Sequence, residues 1–202
     1  MNRFLSCLKT LSLLSFLTTP GWAQKAENPR LLDAPHILAE IDPATFALGG
    51  YSAHARIELG QGSKWVIGAG VYALDLPKAM VDFDSKNRDK GWDVRLKFGA
   101  GVFADRFLSE DHVGPFVGVQ AATQQYRLRN SRAGSGEAQY TSMLLMPRFG
   151  YLWKPGSSEL YIMPWAGVGY ANKVSGEAHL AGVDYHLSKV MVFATVHVGW
   201  RF

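Results

Sequence analysis

The chain has 202 residues, of which 48% are apolar, and its 21 lysines and arginines against 17 aspartates and glutamates leave a net charge of +4. That charge is spread out, without the basic cluster or stacking aromatics of a nucleic-acid surface, and no segment beyond the amino-terminal one is apolar for the roughly 18 residues of a membrane helix. Cys7 is the only cysteine, which excludes a disulfide framework.

Residues 1–23 have the three parts of a secretion signal. Arg3 and Lys9 make the segment basic, residues 10–19 are Leu-rich and uncharged, and Pro20-Gly21-Trp22-Ala23 places small residues at Gly21 and Ala23. The apolar run is too short for a spanning helix. Cleavage is expected before Gln24, leaving residues 24–202 as one domain without cysteine, stabilised by its own packing or by a bilayer. Cys7 lies ahead of the apolar run, the wrong side for lipid attachment. Residues 24–43 keep two alternatives. Residues 31–41 rise as a first strand and turn at Asp42-Pro43, or Asp42-Pro43 caps a short amphipathic helix with proline at its first position.

From Tyr51 onward the apolar period is two, the spacing of strands. Tyr51, Ala53, Ala55, Ile57 and Leu59 oppose Ser52, His54, Arg56 and Glu58. Trp65, Ile67, Ala69 and Val71 form a second row. Trp92, Val94, Leu96, Phe98, Ala100 and Val102 oppose Asp93, Arg95 and Lys97. Val117, Val119, Ala121 and Thr123 oppose Gln120 and Gln124. Thr141, Met143, Leu145, Pro147, Phe149, Tyr151 and Trp153 oppose Tyr140, Ser142 and Arg148. Leu160, Ile162, Pro164, Ala166, Val168 and Tyr170 follow, and Val190 to Phe202 alternate to the end. The connections alternate too. Residues 60–63, 109–114 and 154–158 are short, whereas 77–90, 130–137 and 173–185 are long and polar. Seven strong strands plus one before Tyr51 predict an all-β, antiparallel up-and-down transmembrane barrel of eight strands, with long loops outside and short turns inside.

The ending Val198-Gly199-Trp200-Arg201-Phe202, with the strand rhythm and the secretion signal, resembles small eight-stranded bacterial outer-membrane proteins of the OmpA/OmpX/OmpW-like class. The stretches Lys90-Gly91-Trp92-Asp93-Val94-Arg95 and Trp165-Ala166-Gly167-Val168-Gly169-Tyr170 look like those of uncharacterised barrels of this kind. The resemblance implies location in the outer membrane, with lipid and lipopolysaccharide as surroundings. It also implies periplasmic chaperones and a barrel-assembly machinery that reads Val198, Trp200 and Phe202. It brings no cofactor and no activity.

The expected lumen network is His54, Arg56, Glu58, Asp93, Arg95, Lys97, Arg148, His197 and Arg201. Eight strands leave an interior just wide enough for side chains to fill, and mixed charges there must pair. A structural plug is therefore the expectation. The alternative is a small-solute channel or transporter, against which stands the lack of a single charge sign along the row. A third function is a lipid-modifying hydrolase. Counting back by twos from Phe202 puts His186 and Ser188 on the outer row of the last strand, and His186-Leu187-Ser188 looks like the His-x-Ser of outer-membrane lipid A deacylases, with Glu177 or Asp184 to orient the imidazole, but only three residues match. No metal site is expected. The six histidines are scattered, and His179 with His186 makes two ligands at most. Gly99, Gly101, Gly118, Gly167 and Gly169, inside strands, mark bends or close packing. The mixed-charge loop 82–90 is exposed, and its alternatives are a solvated cap or a surface for lipopolysaccharide or another partner. A soluble lipocalin-like barrel is the fold-level competitor.

Overall fold

The computed structural model describes residues 35–60 and 62–202, so the expected signal peptide and residues 24–34 lie outside it. The elements run β1 (Ile37–Ile41), α1 (Pro43–Ala47), β2 (Tyr51–Glu58), β3 (Trp65–Asp75), α2 (Lys78–Val81), β4 (Trp92–Phe107), β5 (Gly114–Asn130), β6 (Ala138–Leu152), β7 (Leu160–Gly176), a small hairpin of β8 (His179–Leu180) and β9 (Val183–Asp184), and β10 (Val190–Arg201). Eight strands close a barrel in the order β1-β10-β7-β6-β5-β4-β3-β2, every neighbour antiparallel. The lower end carries Ile37, Phe202 and the three short turns. The upper end carries the long connections.

Both alternatives for the chain around Asp42 are present. β1 is the eighth strand, and α1 follows it at once. The Asp42 carboxylate accepts a hydrogen bond from the Ala44 amide at 2.9 Å, with Pro43 at the first helical position, the arrangement that suits an aspartate cap followed by proline. The helix delays β2, which starts at Tyr51.

Alternation survives on most strands. In β6 and β10 the residues of odd and even number respectively point outward, as the sequence period predicts. Leu145, Phe149, Val192 and Val196 are among the exposed apolar side chains, while Arg148 and His197 are buried. β4 differs. A bulge between Leu96 and Phe98 inserts Lys97 opposite a continuous β5 and reverses the facing of everything above it. Val94 and Leu96 are buried, and Asp93, Arg95 and Lys97 are not. The three expected lumen charges thus lie on the outer face of the barrel's upper end. Arg95 bonds there to Asp75 at 2.7 Å, and Lys97 to Gln139 at 3.4 Å. Asp93 has no such pairing among the described residues. Strands β4, β5 and β7 run for 16, 17 and 17 residues, longer than the roughly 9–11 a bilayer requires. Part of the expected loops is therefore strand that rises above the apolar band. The loop expected at residues 77–90 contains α2.

β1 is short, and this shapes the wall. It stops at Ile41 opposite Val198, so residues 190–197 of β10 pair with β7 alone among the described residues. Helix α1 packs against β10, β2 and β3 in the space left. Its Thr45 is buried, while Phe46 is exposed to the outside. The chain then enters β2 beside β3 through Gly50, whose missing side chain would meet the Ala73 carbonyl oxygen at 1.7 Å. Gly50→Ala is expected to force β2 and β3 apart and to cost about 1–3 kcal/mol, as overpacking does. A lowered urea midpoint for the folded barrel is the check.

Candidate functional site

The interior divides into two levels. The lower one is an ionic plug. Arg56 on β2 is fully buried, with Nη2 at 2.7 Å from Asp105 Oδ2 and Nη1 at 3.5 Å from Glu40 Oε2. Arg148 on β6 places Nε 3.2 Å from Asp105 Oδ1. Its guanidinium stacks 4.3 Å from the Trp165 ring and 4.8 Å from that of Phe103, a cation–π setting that helps to hold a desolvated charge. Below them Arg201 bonds Glu58 at 2.6 Å, and His112 Nδ1 lies 3.5 Å from the same carboxylate oxygen. Three guanidiniums, Arg56, Arg148 and Arg201, thus face three carboxylates, Glu40, Glu58 and Asp105. Balanced pairing is what makes so buried a set of charges tolerable.

Six of the nine expected lumen residues, His54, Arg56, Glu58, Arg148, His197 and Arg201, meet in this level. Three partners were not singled out from sequence: Glu40, Asp105 and His112. Asp105 has the inward parity of β4 below its bulge, a signal the apolar row ending at Val102 concealed. Glu40 sits on the five-residue β1, too short to show a period.

Glu40 gathers the hydrogen bonds. Its Oε1 lies 2.9 Å from His197 Nδ1, and its Oε2 accepts from Tyr161 Oη at 2.8 Å. Trp165 Nε1 donates to His197 Nε2 at 3.1 Å, so Nδ1 carries the proton directed at Glu40. His54 stacks on His197 with ring centroids 4.7 Å apart and planes 23° from parallel. Glu40, His54 and His197 bring ligand-type atoms within 4.8 Å of one another. The arrangement does not suit a cation. Near-parallel stacked imidazoles do not aim their in-plane lone pairs at one point, both nitrogens of His197 are already engaged, and Arg56 stands on the same carboxylate.

The upper level is not filled. A cavity of about 70 Å³ lies above the plug, walled by Leu74, Leu96, Tyr126, Leu144, Met146 and Phe193 among others, with His54, Gln120 and Arg148 on its floor. A second cavity, of about 180 Å³, lies at the top of β10 against Met80, Phe83, Tyr140, Tyr185 and Met191. Side chains crowd the lower half of the lumen, whereas the lining of the upper half is mostly apolar and thins out at Gly70 and Gly101.

The hydrolase constellation does not assemble. Residues 186 and 188 precede β10 instead of continuing its outer row. The Ser188 hydroxyl donates to the Val190 carbonyl at 2.8 Å and accepts from the Val190 amide at 3.3 Å, so it caps a strand end. His186 Nδ1 lies 2.5 Å from Asp84 Oδ2 and Nε2 lies 3.3 Å from Lys86 Nζ. Among the described residues neither Ser188 nor Glu177 hydrogen-bonds to it. His179 pairs with Asp184 at 2.7 Å, away from His186.

The Asp84–His186 contact ties the α2 loop to the segment before β10, helped by Asn87, whose amide nitrogen donates to the His186 carbonyl at 2.7 Å. The Lys86 amide bonding to Asp84, with His186 beside it, holds that carboxyl below the usual aspartate range. A group lowered on folding stabilises above its free value of about 3.9 and loses that contribution as pH falls through the lowered value. Amide exchange in residues 78–90, corrected for its intrinsic pH dependence, is expected to be slow at neutral pH and to quicken below about pH 4. In Asp84→Asn it should be quick at both.

No family model matches the chain, and no curated protein sequence does. Among solved structures, a major outer membrane protein from Thermus thermophilus is similar at 12% identity, covering 84% of this chain and 100% of that one with a TM-score of 0.46.

Proposed function

We propose that this chain is an integral outer-membrane barrel with a structural or surface-interaction role and a lumen closed to ions. The observation that carries this is the pairing of an apolar exterior with an ion-paired plug. Ile57, Val71, Val102, Val117, Leu145, Phe149, Val168 and Val196 are exposed around the ring, where only lipid removes their cost. Trp65, Tyr151, Trp153 and Trp200 are exposed at the lower strand ends, and Tyr51 and Tyr170 further up, the places of interfacial aromatic belts. Barrel closure satisfies backbone groups that hydrocarbon cannot, apart from the β1 side of β10 above Val198 among the described residues. Lipid and lipopolysaccharide surround such a barrel, and Val198, Trp200 and Phe202 offer the assembly machinery its terminal signal.

The test has two readouts. Outer membranes from cells expressing the full chain should contain a band that shifts on boiling in a detergent gel. The same folded protein in a planar bilayer should be electrically silent. A soluble periplasmic product without a shift sinks the membrane placement, and steady unit conductance sinks the closed lumen.

A further inference from the structure

The wall of the barrel has a slot. Phe202 donates its amide to the Ile37 carbonyl, so even-numbered residues of β10 direct their backbone groups toward β1. That set includes Val190, Val192, Ala194 and Val196. Above Val198 no strand among the described residues receives them. Ser188 takes up both groups of Val190, which blunts the top of the free edge without closing it. Helix α1 stands lower in the same opening.

The 180 Å³ cavity reaches the top of this edge. Its walls include three consecutive β10 residues, Val190, Met191 and Val192. In an intact strand consecutive residues face opposite sides, so a cavity touching all three passes around the strand's edge. Val190 and Val192 are exposed on the outside, whereas Met191 packs against the core. Leu76, Ala79, Met80 and Phe83 form the opposite wall. Leu76, Met80, Tyr126 and Met191 also wall the lumen cavity. Both chambers are lined mainly by apolar side chains, and they share these four. Lys173 lines the same groove, exposed, with Lys189 next to Val190.

We infer that this slot is a lateral binding site for the hydrocarbon chain of an anionic membrane amphiphile, with its head group at Lys173 and Lys189. This deepens the proposed function, since the ligand has to come from the bilayer. Size selects the class. Sites for compact drug-sized ligands run to about 300–1,000 Å³, and chambers of about 70 and 180 Å³ in series suit one narrow chain. Ser188, which takes up both backbone groups of Val190, marks where the edge meets polar surroundings.

The experiment uses the folded full-length protein in phosphatidylcholine nanodiscs, with heat-modifiability confirmed first for each variant. A palmitate carrying a terminal photoactivatable diazirine is the probe, and cross-linked peptides are mapped. The expected result is saturable labelling at Met80, Phe83, Tyr126, Tyr140 or Met191, competed by unlabelled palmitate. Ala79→Trp and Met191→Trp, which fill the groove, should reduce it at least tenfold, and Lys173→Gln with Lys189→Gln should weaken it several-fold. A hexadecanol diazirine of equal length should label the same residues with lower affinity. Labelling confined to Val117, Leu145 and other outer positions, without saturation, would overturn the site. So would cross-links between two copies along β10 that exclude the probe, which would make the edge a dimer contact. Equal labelling by acid and alcohol would overturn the anionic head group. A protein that fails heat-modifiability in its wild-type form refutes the membrane reading itself, whereas a heat-modifiable protein without labelling refutes the site alone.

Discussion

Replacing Asp105 by alanine is expected to destabilise the barrel by about 3–5 kcal/mol, the cost of removing one member of a buried ion-paired set. Asp105 lies with its side chain fully buried between two guanidiniums, 2.7 Å from Arg56 and 3.2 Å from Arg148. Without it the two cations are left with Glu40, which reaches Arg56 at 3.5 Å and is already shared with His197 and Tyr161. The penalty is an uncompensated buried charge, more than the lost contact itself. The double variant Asp105→Leu with Arg148→Met should therefore recover much of the stability, since apolar replacement of a whole buried pair is often neutral. Urea unfolding of the protein in lipid vesicles gives both numbers. Aspartate at the exposed rim is the control: Asp184→Ala breaks a solvent-facing contact with His179 and should leave the midpoint in place. If Asp105→Ala costs less than about 1 kcal/mol, water reaches the plug and the lumen is not sealed there.

What the sequence made legible, and what it hid, follows from where period two is preserved. β6, β7 and β10 have no interruption within their apolar rows, so Arg148 and His197 could be placed inside by counting. β4 contains one extra residue. Lys97 looks like the third of three inward charges in the sequence, yet a bulge has no sequence mark stronger than a neighbouring glycine, and it sends Asp93, Arg95 and Lys97 outside. The same uninterrupted counting below the bulge would have found Asp105, had the strand been carried past Val102 through the exposed Arg106. Asp42-Pro43 did mark a helix start, but the five residues of α1 are too few for any helical period to show. The slot beside β10 was illegible in principle. A strand's alternation records which way its side chains point and is the same whether or not its backbone edge has a neighbour. The Ser188 pairing with Val190 likewise depends on a chain reversal ahead of the strand, which made His186 and Ser188 look like members of its outer row.

The outward rows carry the second large effect. Leu145 is 57% exposed and Val196 is 44% exposed, and each lies within a strand, Leu145 opposite Ala121 and Tyr170, Val196 opposite Pro164. Leu145→Arg and Val196→Arg are each expected to cost about 2–4 kcal/mol in a bilayer, the range for a cation near the midplane of a barrel's lipid face. The medium decides the sign of the comparison. In water an arginine on an exposed strand position is close to neutral, so a barrel that lived in the periplasm would keep its unfolding midpoint with either substitution. Position decides the rest. Lys97→Leu lies on the outer face above the apolar band and should change little, whereas Leu96→Arg, one residue away, sets a charge among the buried Leu74, Val94 and Tyr126 and should prevent stable closure. Tolerance at Lys97 with intolerance at Leu96, the reverse of what counting back by twos from Val102 predicts, is the signature of the bulge. If Leu96→Arg is the tolerated one, the register of β4 is shifted by one residue, and Asp93, Arg95 and Lys97 return to the lumen.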